Sequence, residues 1–295
     1  MTLPRVVLGA NPFHGVCYIS ASKRRMYRAM FDSVESIATV MKAAVELGFS
    51  ALYCHAKERE VQAIMSVKEA HGDITCLALV PDFYEAMDRQ TKADEGRSDS
   101  STWKLKHMVR SLPAVVKAGA TGDLVPLARQ VLSDELDLVS PTEPRFVVLH
   151  AMMTDMACAL EKADLLRMFQ EAVREMGAVP GLATHNLPFC YEKCAEMGLE
   201  FPLWTAPVNP NGFMMNPSEE ACLQVFRDAG EIVFLGKKVL AGGVVPPLDA
   251  FRYAFEHAGI DCVSVGIATA EEAREAIEAA RGVLGENWTA GVEVV

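Results

Sequence analysis

The chain has 295 residues, enough to build a full hydrophobic core as one α/β barrel domain. A composition of 51% hydrophobic and 23% charged residues excludes a disordered chain. A net charge of -11 argues against nucleic acid as the main partner, because phosphate binding needs a basic surface.

No apolar run reaches the roughly 18 residues of a membrane span, and Met-Thr-Leu-Pro-Arg at the N-terminus lacks the segments of a signal peptide. The eight cysteines are scattered without a Cys-x-x-Cys pair. Cys76, Cys222 and Cys262 sit inside apolar strands or helices, and Cys190 and Cys194 have helical spacing. Reduced core thiols in a cytoplasmic protein are expected.

In chain order, Arg5-Val-Val-Leu-Gly9 reads as the first strand, followed by Ala-Asn-Pro-Phe-His14-Gly. Residues 16–31 read as irregular and basic, lying over one end of the fold. Asp32-Ser-Val-Glu35 offers a capping box to a helix whose face is Ile37, Val40, Met41 and Ala44, closed by Gly48. The second strand is Ala51-Leu-Tyr-Cys-His55, with a helix over about 58–70. The third is Thr75-Cys-Leu-Ala-Leu-Val80, stopped by Pro81. Residues 82–124 read as an insertion with a polar tip, and about 124–132 as a helix leading to the fourth strand. That strand, Phe146-Val-Val-Leu-His150, is a buried apolar run ending in a group able to do chemistry.

A helix is expected over about 157–176, then the fifth strand, Gly181-Leu-Ala-Thr-His185, and a short helix over 189–197. The sixth strand is Leu203-Trp-Thr-Ala-Pro-Val208. Asn216-Pro-Ser-Glu219 reads as a helix start, with asparagine as the cap. The seventh strand spans 232–235 and the eighth 262–267, with helices at about 247–257 and 270–281. Residues 283–295 read as a tail. Eight strand–helix units with continuously apolar strands predict a single (β/α)8 TIM barrel over 1–295, with insertions after strands one and three.

Chemistry in such barrels sits at the C-terminal strand ends. Four of the seven histidines fall there: His14, His55, His150 and His185. Asp82, Asp155, Asn186, Asn209 and Lys238 lie near strand ends as well. This predicts a polar, histidine-rich pocket. The four histidines with Asp82 form the candidate set for a divalent metal, although His-x-His or His-x-x-x-His spacing is absent. The pairs Met152-Met153 and Met214-Met215 read as core filler.

The run Phe234-Leu-Gly-Lys-Lys238-Val-Leu-Ala-Gly-Gly243, with Pro246, Ala250-Phe and Tyr253-Ala-Phe, resembles the seventh-strand region of aldo/keto reductases. Asp261-Cys-Val-Ser-Val-Gly266-Ile-Ala-Thr-Ala-Glu-Glu272 is similar to their eighth strand and following helix, and Gly181-Leu-Ala-Thr-His-Asn186 to the fifth-strand motif of the predicted-oxidoreductase branch. The resemblance implies an NADP(H) site at Lys238, Leu240, Gly242, Gly266, Ala268, Thr269 and Glu275, where Ala276 replaces the asparagine often found in the family. Glycines there permit close backbone approach, and a helix N-terminus near Thr269 favours an anion.

The family's catalytic set is Asp, Tyr, Lys and His, with tyrosine as proton donor. Only His150 matches it. Tyr53 and Cys54 stand where the aspartate is expected, Lys57, Glu58 and Arg59 in the tyrosine stretch, and Val80-Pro81-Asp82 around the lysine position. The resemblance thus implies a diverged NADP(H)-linked oxidoreductase of small carbonyl compounds, with catalytic candidates His150, His55, Tyr53, His185 and Lys238. Two alternatives stand beside it: a metal- or His/Lys-dependent lyase, isomerase or hydrolase, and a non-catalytic small-molecule binding relic. The expected partner is a small-molecule substrate, with neither nucleic acid nor membrane; oligomeric state stays open.

Overall fold

A computed structural model describes residues 1–81 and 125–295, with Leu127 by its backbone alone. The predicted insertion at 82–124, and with it Asp82, lies outside the described residues. Eight parallel strands close into a barrel: β2 (Val6–Gly9), β3 (Ala51–His55), β4 (Thr75–Val80), β5 (Phe146–Leu149), β6 (Val179–Ala183), β7 (Leu203–Pro207), β8 (Val233–Lys237) and β9 (Cys262–Gly266). The barrel closes where Val6 pairs with Val263 and Gly9 with Gly266.

Strand alternation divides the core in two. Val7, Ala51, Tyr53, Leu77, Leu79, Phe146, Val148, Leu203 and Leu235 point inward and fill the barrel. Their neighbours along each strand point outward under the helices, among them Leu52, Val147, Trp204 and Phe234. Burial on both faces is why these strands read as continuous apolar runs.

Residues 283–295 were expected to be a tail. Instead β1 (Thr2–Pro4) pairs antiparallel with β10 (Gly291–Glu293). Leu3 and Val294, both fully buried, join the barrel's inner core and seal its N-terminal end. Ligands therefore reach the barrel interior from the opposite end.

The helices are α1 (Ala21–Met30), α2 (Val34–Glu46), α3 (Glu58–His71), α4 (Val125–Val139), α5 (Ala151–Ala159), α6 (Ala163–Glu175), α7 (Leu187–Glu196), α8 (Glu219–Asp228), α9 (Pro247–Arg252) and α10 (Ala270–Leu284). Three expectations are corrected. Residues 16–31 are not wholly irregular: Ser20 accepts from the Lys23 amide and starts α1. The helix expected over 157–176 is two helices, broken where Glu161 takes φ 51°. The cap of α8 is Ser218, not Asn216; the Asn216 amide instead donates to the His185 carbonyl at 2.9 Å. Among the described residues no helix is long and apolar enough to cross a membrane.

Candidate active site

A cleft of about 490 Å³ opens at the C-terminal end of the barrel. Tyr53 and His55 of β3, Leu79 of β4, His150, His185, Thr205 of β7, and Lys237 and Lys238 line its mouth. From there it continues between the turn after β8 (Leu240, Gly242, Gly243) and Gly266, Glu272, Glu275 and Ala276, with Tyr18, Lys23 and Tyr27 on the facing wall.

Two adjacent lysines share this cleft because the strand ends between them. Val233, Leu235 and Lys237 follow the inward alternation of β8. Lys238 then takes a left-handed φ of 58°, which breaks the alternation and brings the next side chain to the same cleft. Ala241, Gly242 and Gly243 continue the turn at positive φ. At Gly242 a Cβ would stand 2.9 Å from the Ile19 side chain, so glycine there also lets residues 18–20 lie across the turn.

Lys238 is the hub of the polar network. Its Nζ lies 3.1 Å from the Tyr18 hydroxyl, 3.3 Å from His185 Nε2 and 4.4 Å from the centre of the Tyr18 ring. Burial pulls the Lys238 amine down to about 8, so it is an ammonium at neutral pH. Burial, helped by the neighbouring Lys238 ammonium, pulls His185 down to about 2, which leaves a neutral imidazole. Its Nε2 then accepts from Lys238, and the proton sits on Nδ1, 3.8 Å from Asp155 Oδ2.

Asp155 is itself anchored. It accepts from the Thr184 hydroxyl at 2.5 Å and from the His185 amide at 3.3 Å, which ties the end of β6 to α5. Burial pushes the Tyr18 phenol up, partly offset by a hydrogen bond from Asn11, so it holds its proton at neutral pH.

The other mouth residues differ in their freedom. His150 caps α5, its Nδ1 accepting from the Met152 amide at 3.3 Å, so Nε2 carries the proton of the neutral ring. Tyr53 is 7% exposed and burial pushes its phenol up, opposed by the Thr205 hydroxyl. Burial and the Lys238 charge hold the Lys237 amine well below the usual lysine range.

Of the residues singled out in the sequence, His55, His150, His185, Tyr53 and Lys238 meet at the mouth, and Leu240, Gly242, Gly266 and Glu275 line the cleft. His14 does not line it: its Nε2 contacts Glu60 Oε2 at 2.6 Å while its ring lies 4.2 Å from that of His55. Neither Ala268 nor Thr269 lines it. Thr269 caps α10, and the Ala268 amide donates to Glu272 Oε2 at 2.7 Å. The helix end expected to attract an anion already holds a carboxylate. Among the described residues no group of three histidines, cysteines or acids could hold a metal ion, so His14, His55, His150 and His185 do not converge on one.

Tyr18 and Lys237 are the residues that the sequence reading passed over. Strand alternation from Val233 through Leu235 pointed to Lys237. Nothing local pointed to Tyr18, which meets Lys238 across 220 positions of sequence.

No family model matches the chain, and no curated protein matches it in sequence. Solved structures do match in fold. One described as an aldo-keto reductase from Pseudomonas aeruginosa aligns at a TM-score of 0.59 and 17% identity, covering 95% of this chain and 90% of the other. Another, described as a 2,5-diketo-D-gluconic acid reductase B, aligns at 0.55 and 15%, covering 94% and 83%. A mutant of Gox0644 in complex with NADPH aligns at 0.52 and 12%, covering 95% and 84%. The chain has the fold of the aldo-keto reductases.

Proposed function

We propose that the protein is a nicotinamide-dinucleotide-linked oxidoreductase acting on a small carbonyl compound, with Tyr18 as the proton donor. The observation that carries this is the Tyr18–Lys238–His185 contact on the wall of a cleft long enough to extend from the mouth to α10. It assembles a tyrosine, a lysine, a histidine and, behind them, Asp155. These are the residue types that the resemblance calls for, here drawn from the segment before α1, the ends of β8 and β6, and α5.

The cleft fits a dinucleotide on its own chemistry. Among the described residues no atom lies within 4 Å of where a Cβ of residue 243 would stand, so the Gly243 backbone is open to close approach. Lys23 and Lys238 offer cations to a pyrophosphate, and Lys238, Leu240, Gly242, Gly266 and Glu275 would be among the holding residues. The bound cofactor supplies or accepts hydride at the carbonyl carbon.

The chain's own residues handle the proton. The Tyr18 hydroxyl donates to the carbonyl oxygen as that oxygen gains negative charge, and the Lys238 ammonium at 3.1 Å stabilises the phenolate left behind. Neutral His185 holds Lys238 in place by accepting a hydrogen bond from its ammonium. Asp155 and Asn216 hold the His185 segment.

This division of labour has a pH signature. Lys238 must be charged to stabilise the phenolate, and it loses that charge as pH rises through about 8. The rate of carbonyl reduction is therefore expected to fall above pH about 8, with the break absent in Lys238→Met. A pH–rate profile of kcat/KM checks it.

The function itself is tested by following oxidation of NADH and NADPH in the presence of short aldehydes, ketones and sugars. Consumption that depends on the carbonyl and is lost in Tyr18→Phe is expected. Consumption that Tyr18→Phe leaves intact would contradict the assignment.

A further inference from the structure

We propose that Lys237 binds the carboxylate of a short 2-oxo acid, which makes such acids the substrates of the cleft. The inference rests on the reductase reading, whose substrate class it names, and it uses a lysine that the proton chemistry leaves idle.

Lys237 is the last residue of β8, and the strand sets its place. The Val208 amide donates to its carbonyl at 3.0 Å, and Pro207 of β7 stands beside it in register. Val233 and Leu235, on the same face of β8, fill the barrel interior. The Lys237 side chain therefore stands on top of that core, at the floor of the mouth. Lys238 reaches the cleft from the turn beyond and faces Tyr18 instead. One lysine serves the proton donor; the other lies over the barrel core, where a small substrate sits in folds of this kind.

The Lys237 amine lacks a counter-ion. Among the described residues no group accepts a hydrogen bond from it and no carboxylate pairs with it, whereas Lys238 has both Tyr18 and His185. Asp155 is felt from behind, but Thr184 and His185 engage it and it does not line the cleft. The acids that do line the cleft, Glu272 and Glu275, belong to α10 at its far end. Burial and the Lys238 charge accordingly hold the Lys237 amine well below the usual lysine range. A ligand carboxylate would restore the ammonium and accept its hydrogen bonds.

The second group on the ligand fixes the class. Tyr18 and Lys238 handle the carbonyl oxygen, and Lys237 directly precedes Lys238 in the chain. Carboxylate and carbonyl are thus held close together on one small molecule, and a 2-oxo acid has them on adjacent carbons. On reduction the carbonyl carbon takes the hydride, its oxygen takes the Tyr18 proton, and a 2-hydroxy acid leaves with its carboxylate unchanged.

Calorimetric titration of the full chain with pyruvate and with its neutral amide tests this, with NAD+ or NADP+ present to prevent turnover. Wild type is expected to bind pyruvate roughly tenfold tighter than the amide or better, the scale of one hydrogen bond between charged groups. The preference should vanish in Lys237→Met and largely return in Lys237→Arg. With NADH or NADPH, Lys237→Met should raise KM for pyruvate more than it lowers kcat, because the proton donor is untouched. The wild-type comparison stands even where a variant folds poorly. Equal binding of pyruvate and amide, failure of pyruvate to bind, or a preference that survives Lys237→Met would overturn the inference. Reduction of neutral carbonyl compounds would then leave the reductase reading standing. A Lys237-dependent preference in a protein that oxidises neither nucleotide would uphold the carboxylate site and overturn the reductase reading alone.

Discussion

Tyr18→Phe is expected to lower kcat for carbonyl reduction by about 100-fold to 10,000-fold, the usual contribution of a positioned general acid. Dinucleotide affinity should barely change. The substitution removes only the hydroxyl, and the ring keeps its place 4.4 Å from the Lys238 ammonium. Tyr18 is 39% exposed, so the fold does not depend on that oxygen.

Tyr53→Phe provides the contrast. Its hydroxyl is buried and faces Thr205 inside the barrel, so its loss is expected to change stability by about 1 kcal/mol and kcat very little. Steady-state kinetics and thermal unfolding of the two variants decide between the tyrosines. Loss of kcat in Tyr53→Phe with Tyr18→Phe near wild type would assign the donor to the wrong residue.

The largest stability effect is expected at Glu60, far from the proton donor but joined to the mouth. Glu60 on α3 is 1% exposed, and its carboxylate meets His14 Nε2 at 2.6 Å. Glu60→Ala removes a hydrogen-bond partner from a buried imidazole, which typically costs about 1–3 kcal/mol. For a chain of this size that corresponds to roughly 2–6 °C in Tm. Glu60→Gln keeps the shape and one acceptor, and should lose clearly less.

The effect should reach the site as well. The His14 ring lies 4.2 Å from that of His55, so loosening one loosens a wall of the mouth. A Tm within about 1 °C of wild type in Glu60→Ala would mean that the pair is incidental to the fold.

Much of the architecture was legible because buried parallel strands announce themselves. Val147, Val148, Leu203 and Phe234 are apolar on both faces of their strands, and each of these runs is a barrel strand. The helix break at 160–162 was missed because α5 and α6 together keep an apolar pattern, and the interruption is a single left-handed Glu161. The β1–β10 seal was missed because strands of three residues carry too little periodicity to be seen.

The site was half legible for the same kind of reason. Histidines at strand ends are visible in the sequence, and His55, His150 and His185 do meet at the mouth. Whether a residue such as His14 turns toward the cleft or toward Glu60 depends on a short 3-10 turn, Asn11–His14, that strand patterns do not predict. Tyr18 meets Lys238 through closure of the barrel, which no local signal encodes.

The central claim is that a nicotinamide dinucleotide occupies the cleft beside Tyr18 and Lys238. Hydrogen–deuterium exchange of the purified chain, with and without saturating NADH and then NADPH, tests it most directly. The account predicts slowed exchange confined to residues 16–20, 238–245 and 266–276, the walls of the cleft. Unchanged exchange there with both nucleotides, or protection only on another face of the barrel, would contradict it.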